Sequence, residues 1–247
     1  MTEAEGRLVL GLQPVREALR VHGEQIRRVW LDARDEPRLL ALARFATDRG
    51  AAEVERVPRA RLDKLSRGTE HQGVAAWAPP LVLLPPKTLL EDPALLAVAL
   101  DGIQDPQNFG AIIRSAVGVA DAAVIWPEHG SAPLSPATFR ASAGAIEHAR
   151  LCRVHSLHGF IDEAVARGVT VIGLDANADA TLAEHSLQRP TVLVVGSEHR
   201  GLARNVRRSI PTLARLLAPH HIDSLNASVA AAIALYVASN SPTLSST

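Results

Sequence analysis

The fold is decided by the stretch Leu96-Ala-Val-Ala-Leu-Asp-Gly-Ile-Gln-Asp-Pro-Gln-Asn-Phe-Gly-Ala-Ile-Ile-Arg114, in which an apolar run gives way to a polar turn and then to a second apolar run. The first run does not alternate with polar residues, which is typical of a parallel strand buried on both faces. Small and polar residues follow where this strand passes into a helix. Proteins of the α/β class build ligand sites at such turns.

The rest of the C-terminal part repeats this pattern. Further apolar runs predict strands over residues 122–126, 151–154, 169–174 and 192–195. Helical patterns intervene at residues 111–119, 136–143, 160–167 and 202–209. Strands alternating with helices in this way predict a doubly wound α/β domain with a parallel sheet.

The N-terminal part predicts a second, smaller α/β unit. Its pattern indicates helices at 11–20 and 36–49 and strands at 26–31, 52–57 and 74–77. A proline-rich segment from Pro79 to Pro86 then excludes a central strand or helix. We therefore predict an N-terminal domain over 1–78, a linker over 79–94, which is either a hinge or a strap on the larger domain, and a C-terminal domain over 95–247.

Bulk properties exclude several classes of protein. The 247 residues carry a formal net charge of zero, so any nucleic-acid contact must come from local clusters of charge. The single cysteine, Cys152, excludes an internal disulfide framework and a cysteine-based zinc site, and we expect no metal. Neither a signal pattern nor a membrane-spanning apolar run occurs, which predicts a soluble cytoplasmic protein without membrane contact.

Three polar segments carry the candidate chemistry. In the first, Asn108 and Gly110 precede Arg114, which we place near the start of a helix that is otherwise apolar and small. A cation in such a helix needs a partner or a task. The plainer interpretation is an N-capping Asn followed by a surface Arg.

The second segment, Gly196-Ser-Glu-His-Arg-Gly201, joins a buried strand to a helix. It is neither a phosphate-binding loop nor a dinucleotide-binding fingerprint. Glu198 within this turn would repel a pyrophosphate and suits a neutral or cationic ligand, unless it merely caps the next helix.

The third segment, Ser224-Leu-Asn-Ala-Ser228, opens the last helix. Its small residues let this helix pack closely on a neighbour, and its polar residues cluster at the helix start. Taken alone, the segment is explained equally well by Ser224 as the N-cap of a packed helix.

In order and spacing, the three segments resemble the signature motifs of SPOUT methyltransferases of the TrmH type. The nearest likeness is to bacterial enzymes that methylate a guanosine ribose 2′-hydroxyl in 23S ribosomal RNA. Residues 11–19 and 71–76 also resemble the small substrate-binding domain of that family. The likeness therefore covers nearly the whole chain.

The resemblance implies a C-terminal α/β domain with a parallel sheet and a deep trefoil knot, and a small N-terminal α/β RNA-binding domain of the L30e type. It implies S-adenosylmethionine as cofactor, contacted by residues at the positions of Gly196, Ser197, Gly201, Leu216, Ala218, Leu225 and Ser228. Family members usually carry Ile-Pro-Met where this chain has Leu216-Leu-Ala218, so the packing on the adenine is expected to differ.

The resemblance also assigns catalysis to Asn108, Arg114, Glu198, Ser224 and Asn226, with the arginine acting across a homodimer packed around the last helix. Ala227, Ala230, Ala231 and Ala234 suit such packing, as they would suit a buried helix. Because an arginine stays protonated, Arg114 is expected to hold a phosphate or to stabilise charge on the acceptor oxygen rather than to act as a base.

RNA contacts are expected from an arginine cluster without acids, namely Arg200, Arg204, Arg207, Arg208 and Arg215. A solvated helix face is the alternative for that cluster. A weaker assignment in the first domain comprises Arg59, Arg61, Lys64 and Arg67. Other functions remain open at this point: methylation of tRNA, methylation of rRNA as antibiotic resistance, or a non-catalytic role in ribosome assembly.

Overall fold

The computed structural model describes residues 6–198, 200–216 and 225–241. The first half of the chain forms β1 (Arg7–Leu10), α1 (Leu12–His22), β2 (Arg28–Asp32), α2 (Pro37–Asp48), β3 (Glu53–Val57), α3 (Arg59–Ser66), β4 (Val74–Ala78), α4 (Pro86–Leu90), β5 (Leu96–Asp101) and α5 (Pro106–Ser115). The second half forms β6 (Ala123–Pro127), α6 (Pro136–Ala141), β7 (Leu151–Val154), α7 (Leu157–Ala166), β8 (Thr170–Leu174), β9 (Thr191–Gly196), α8 (Arg204–Ser209), β10 (Thr212–Ala214) and α9 (Ala227–Ser239). Short 3₁₀ turns lie at Gly23–Gln25, Ala145–His148 and Leu182–Glu184, and a π-helical turn at Ala116–Ala120 extends α5.

The chain divides into two compact units. The first comprises residues 1–82 and 134–148, and the second comprises 83–133 and 149–247. Residues 134–148, expected in the C-terminal domain, thus pack with the N-terminal unit. The sequence pattern predicts the helix in this segment, but it does not show which part of the molecule that helix packs against.

The first unit is built on a four-stranded sheet in the order β1-β4-β2-β3. β2 and β3 are parallel, and β4 pairs antiparallel with β1 and β2. Its core contains Val15, Leu19, Val29, Leu31 and Leu39. The strand β1 and the helix α3 were not expected from the sequence. β1 is only four residues long, and α3 buries just Leu62 and Ser66, so its apolar period is weak.

The second unit has a six-stranded sheet in the order β10-β8-β9-β5-β6-β7, and every pairing is parallel. Ala97 and Ala99 of β5 pack into a core with α4, α7 and α8. Because side chains alternate along a strand, Val98 and Leu100 point to the other face, where α5 and α9 pack on each other. The predicted parallel α/β architecture is confirmed, with β10 as an additional edge strand.

The proline-rich segment belongs in part to this second unit. Leu84 donates its N–H to the carbonyl of Leu151 at 2.7 Å, and Leu89 and Leu90 are buried in the core. Residues 83–94 therefore form a strap on the larger unit rather than a free hinge.

Burial raises the pKa of the Cys152 thiol to about 11, consistent with an unreactive core residue.

No helix within the described ranges is long and apolar enough to cross a bilayer.

Candidate active site

The site lies at the carboxyl edge of the large sheet, where β5 and β9 end side by side. Asp101, the last residue of β5, is in register with Gly196, the last residue of β9. The loop after β5 and the turn after β9 consequently leave the sheet at one place. Parallel sheets bind ligands at this edge.

The start of α5 places Asn108 at the site. Asp105 caps the helix by accepting the N–H groups of Gln107 and Asn108, each at 3.1 Å. Pro106 follows at the first helical position, where a missing N–H costs nothing. Asn108 is therefore held in the first turn with its side-chain amide free for other contacts.

Three side chains, Asn108, Glu198 and Asn226, form what we call the amide–carboxylate cluster. Asn108 Nδ2 donates to Glu198 Oε1 at 3.0 Å, and Asn226 Nδ2 donates to Asn108 Oδ1 at 3.0 Å. Asn226 Nδ2 also donates to Glu198 Oε1, which in addition accepts the N–H of Ala227 at 3.3 Å. The three sequence segments therefore meet through direct hydrogen bonds.

Asn226 is also the N-cap of α9. Its Oδ1 accepts the N–H of Ser228 at 3.0 Å, the N–H of Val229 at 3.3 Å and the hydroxyl of Ser228 at 2.6 Å. The amide thus uses its oxygen for the helix and its nitrogen for the cluster. The N-cap of α9 is thus Asn226, whereas Ser224, the cap that the sequence suggested, lies outside the described residues.

A cavity of about 550 Å³ opens beside the cluster, between the loop 101–105 and the turn 197–203. This volume falls in the range of about 300–1,000 Å³ that is usual for small-molecule sites. The described lining residues include the carboxylates of Asp101, Asp105 and Glu198 and the guanidinium of Arg200. Glu198 forms no ion pair with any of the described residues, so none of them neutralises its charge.

Glycines shape the turn after β9. A Cβ at Gly196 would lie 2.2 Å from the carbonyl carbon of Gly201, so no larger residue fits there. Ser197 and Gly201 close the turn with two backbone hydrogen bonds of 3.1 and 2.8 Å. Gly201 has a φ of 61° and faces open space, which leaves its backbone accessible to a ligand.

Arg114 lies elsewhere than expected. It is in the last turn of α5, next to the π-helical turn, and not near the helix start. Its side chain is exposed, and within the described ranges it makes no hydrogen bond or ion pair. The amide–carboxylate cluster of its own chain therefore does not orient it.

The expected cofactor residues are only partly described. Gly196, Ser197 and Gly201 form the turn, and Leu216 and Leu225 lie half-buried on either side of residues 217–224. Ala218 and Ser224 fall outside the described residues. Ser228 uses its hydroxyl on Asn226 and so belongs to the cap of α9.

The expected RNA-binding arginines divide into two groups. Arg200, Arg204 and Arg208 are exposed and have no ion pair within the described part of the chain. Arg207 pairs with Asp175 at 2.8 Å, and Arg215 donates to the carbonyls of Ala178, at 2.8 Å, and Asp179. Arg215 holds a loop, so its assignment to RNA is not supported.

In the first unit, Arg59 lies 3.9 Å from Asp32 and Arg61 lies 2.6 Å from Glu55, whereas Lys64 and Arg67 are exposed. Sequence reasoning also overlooked Asp101 and Asp105 as lining residues. The signal was present, because an acid directly ends an apolar strand and another precedes Pro106. Among the described residues, no group of three or more His, Cys, Asp or Glu residues could hold a metal ion.

Comparison with known proteins fits this geometry. Residues 95–236 match the SpoU rRNA Methylase family, and residues 8–82 match the RNA 2′-O ribose methyltransferase substrate binding family. The chain belongs to the SpoU rRNA methylase family. The resemblance to methyltransferases of the TrmH type is confirmed, and as a member of this family the chain is an RNA 2′-O-ribose methyltransferase that uses S-adenosylmethionine.

Individual relatives agree. An "Uncharacterized tRNA/rRNA methyltransferase" of Mycolicibacterium smegmatis is 39% identical over 94% of this chain and 75% of its own length. The SpoU methyltransferase AviRb from Streptomyces viridochromogenes, solved with AdoMet, has a TM-score of 0.77 at 25% identity, covering 95% of this chain and 89% of that one. An AdoMet-bound rRNA methyltransferase from Sinorhizobium meliloti has a TM-score of 0.75 at 25% identity, covering 96% of this chain and 87% of that one.

Proposed function

We propose that this SpoU-family chain methylates the ribose 2′-hydroxyl of a guanosine in 23S ribosomal RNA, as a homodimer in the cytoplasm. The observation that carries the proposal is the amide–carboxylate cluster. Three motifs from distant parts of the sequence meet there by direct hydrogen bonds, beside a cavity at the sheet edge.

The residues of the site fit the cofactor. When bound, S-adenosylmethionine supplies a methyl group on a positively charged sulfur. Among the described lining residues, Asp105 and Glu198 place carboxylates at the cavity and Arg200 places a guanidinium there, which favours a cationic ligand. Gly196, Ser197 and Gly201, with Leu216 and Leu225, would hold the cofactor largely through backbone contacts. The trefoil knot is part of this proposal.

With the cofactor bound, the carbon–sulfur bond would break as the acceptor oxygen takes the methyl group, and the hydroxyl proton would pass to water. Asn108 and Asn226 hold Glu198 with neutral donors, so its negative charge remains available to orient a cationic group. Arg114 would be that group, supplied by the partner subunit. As a permanent cation it stabilises negative charge developing on the acceptor oxygen, or holds the adjacent phosphate.

The outer face of α9 supports the homodimer. Val229, Ile233 and Tyr236 recur at helical spacing and are 46%, 36% and 63% exposed. This apolar stripe begins beside Asn226, which belongs to the cluster. Ala227, Ala231 and Ala234, in contrast, are buried within the chain. The stripe of large apolar residues, and not the alanines, is thus the surface that would receive a second copy.

Ribosomal RNA is favoured over tRNA by the first unit. Its match to a substrate-binding family covers residues 8–82, and the Sinorhizobium meliloti protein similar over nearly the full chain is an rRNA methyltransferase. The mixed naming of the relatives keeps tRNA methylation as the second candidate. The proposal is also tested against two other functions, which are methylation of rRNA as antibiotic resistance and a non-catalytic role in ribosome assembly.

The test is transfer of labelled methyl from S-adenosylmethionine to ribosomal RNA from a strain lacking the gene, with mapping of the modified nucleotide. The proposal expects one 2′-O-methylated guanosine in 23S rRNA. Label in tRNA alone, or in neither RNA, would overturn it.

The shared site is tested with two inactive variants. Arg114→Ala should abolish transfer but retain cofactor binding, and Glu198→Ala should lower the rate of transfer about 100- to 1,000-fold. Mixed dimers of the two variants contain one site with both groups intact and should regain part of the activity. Mixed dimers that stay inactive would exclude the shared site.

A further inference from the structure

Asp101 is a half-buried carboxylate to which the three motifs assign no role. It ends β5, pairs in register with Gly196 and lines the cavity that holds Asn108 and Glu198. Burial raises its pKa, and the hydrogen bond from a backbone N–H offsets this only in part. Keeping a charge there is therefore costly, which indicates that the carboxylate has a task.

The contact that identifies the task joins Asp101 to the far end of the turn. Asp101 Oδ2 accepts the N–H of Ala203 at 2.6 Å. Ala203 is the residue from which α8 starts, and it carries no side chain able to cap that helix. A carboxylate from the neighbouring strand thus fixes the point at which the turn passes into α8.

The other end of the turn is fixed by packing. Gly196 is pressed against Gly201, and Ser197 and Gly201 bond to each other through their backbones. Glu198 lies between these anchors and makes no hydrogen bond or ion pair with the described residues of α8. Its reach to Asn108 and Asn226 consequently depends on where the two anchors hold the turn.

We propose that Asp101 is a positioning residue, which pins the turn 197–203 to β5 so that Glu198 meets Asn108 and Asn226. The inference rests on the proposed function only in its kinetic consequence. Displacing a catalytic group by about 1 Å can cost about 100-fold in rate. Loss of the anchor should therefore lower kcat more than it weakens the binding of RNA.

The test compares Asp101→Ala with Asp101→Asn. The asparagine retains an oxygen that can accept the Ala203 N–H, whereas the alanine does not. We expect kcat to fall roughly 10- to 100-fold in Asp101→Ala with KM for RNA nearly unchanged, and to stay within about three-fold of wild type in Asp101→Asn. Asp92→Ala is the control for loss of a backbone acceptor at the other end of β5, because Asp92 accepts the N–H of Ala94 at 2.9 Å and also pairs with Arg150 at 2.6 Å.

A second measurement does not depend on turnover. In NMR spectra, the side-chain NH₂ signals of Asn108 and Asn226 should shift in Asp101→Ala as they do in Glu198→Ala, and stay in place in Asp101→Asn and Asp92→Ala. Unshifted signals, or an Asp101→Asn variant as slow as Asp101→Ala, would overturn the positioning role. A wild-type protein that methylates no RNA would overturn the proposed function alone, and the NMR result would still decide on Asp101.

Discussion

Two glutamates in different units of the molecule show what a carboxylate does when its charge is neutralised and when it is not. Glu147 in the first unit has a fully buried side chain. Arg7 donates to its Oε1 at 2.8 Å and also pairs with its Oε2, while His22 lies 2.9 Å from Oε2. The negative charge of Glu147 is therefore neutralised within the fold.

Glu198 in the second unit is held instead by neutral donors, two side-chain amides and one backbone N–H. Its position is fixed, and none of the described residues neutralises its charge. Glu147 is the better paired of the two, and Glu198 is the better exposed. The contrast predicts that removing Glu147 damages the fold and removing Glu198 damages the chemistry.

The largest expected effect is that of Glu147→Ala on stability. The change leaves the Arg7 guanidinium, which is 11% exposed, without its partner. Breaking a buried pair in this way costs about 3–5 kcal/mol. Native-state hydrogen exchange of β1 and α1 should show this loss of unfolding free energy. The control is Glu163→Ala, which breaks the exposed pair with Arg167 and should lower the unfolding free energy by less than about 1 kcal/mol. Equal losses would show that burial does not distinguish the two pairs.

Glu198→Ala should lower the rate of methyl transfer about 100- to 1,000-fold, the usual cost of removing one preorganised electrostatic contact. The unfolding free energy should change far less than in Glu147→Ala, because no buried cation loses its partner. Glu198→Gln separates charge from hydrogen bonding, since it keeps an oxygen acceptor. We expect it to be nearly as slow as the alanine variant. Full activity in the Glu198→Gln variant would show that the charge has no role.

The sequence could place the first two motifs together because each follows a continuous apolar strand. Runs such as Val192 to Val195 mark buried parallel strands, and parallel strands deliver their carboxyl ends to one edge. The meeting of Asn108 and Glu198 could therefore be expected, whereas Asn226, which opens α9, was expected there only from the resemblance.

Tertiary partners could not be predicted in the same way. The pattern predicted the helix over 111–119 and so placed Arg114 near its start, whereas α5 begins at Pro106 and has Arg114 in its last turn. The alanines of α9 were predicted to suit packing against a second subunit, but Ala231 and Ala234 are buried within the chain. Residues 134–148 join the first unit through Glu147 and its partners, which lie about 130 positions away. Local pattern contains none of these pairings.

The pairing of Glu147 should also make the first unit sensitive to acid. Burial raises the pKa of Glu147, but hydrogen bonds from His22 and Arg7 more than offset this, so the pKa lies below its usual value of 4.5. A depressed pKa contributes stability that is fully present above the unfolded value and is lost as pH falls through the folded one. The unfolding free energy should therefore drop below pH 4.5 in wild type, and less steeply in Glu147→Gln. Parallel curves would contradict the assignment.

The smallest expected effect extends the comparison to cations. Arg208 is exposed without an ion pair in the described structure, whereas its neighbour Arg207 is paired with Asp175. If unneutralised charges are the ones that serve the partner, Arg208→Ala should weaken RNA binding and reduce the slope of log K against log salt by about 1. Arg207→Ala should change that slope less, because its charge is already satisfied by a carboxylate. Filter-binding titrations over several salt concentrations measure both slopes. Equal reductions would show that pairing within the chain does not withdraw an arginine from the RNA, and the distinction drawn from the two glutamates would not extend to this surface.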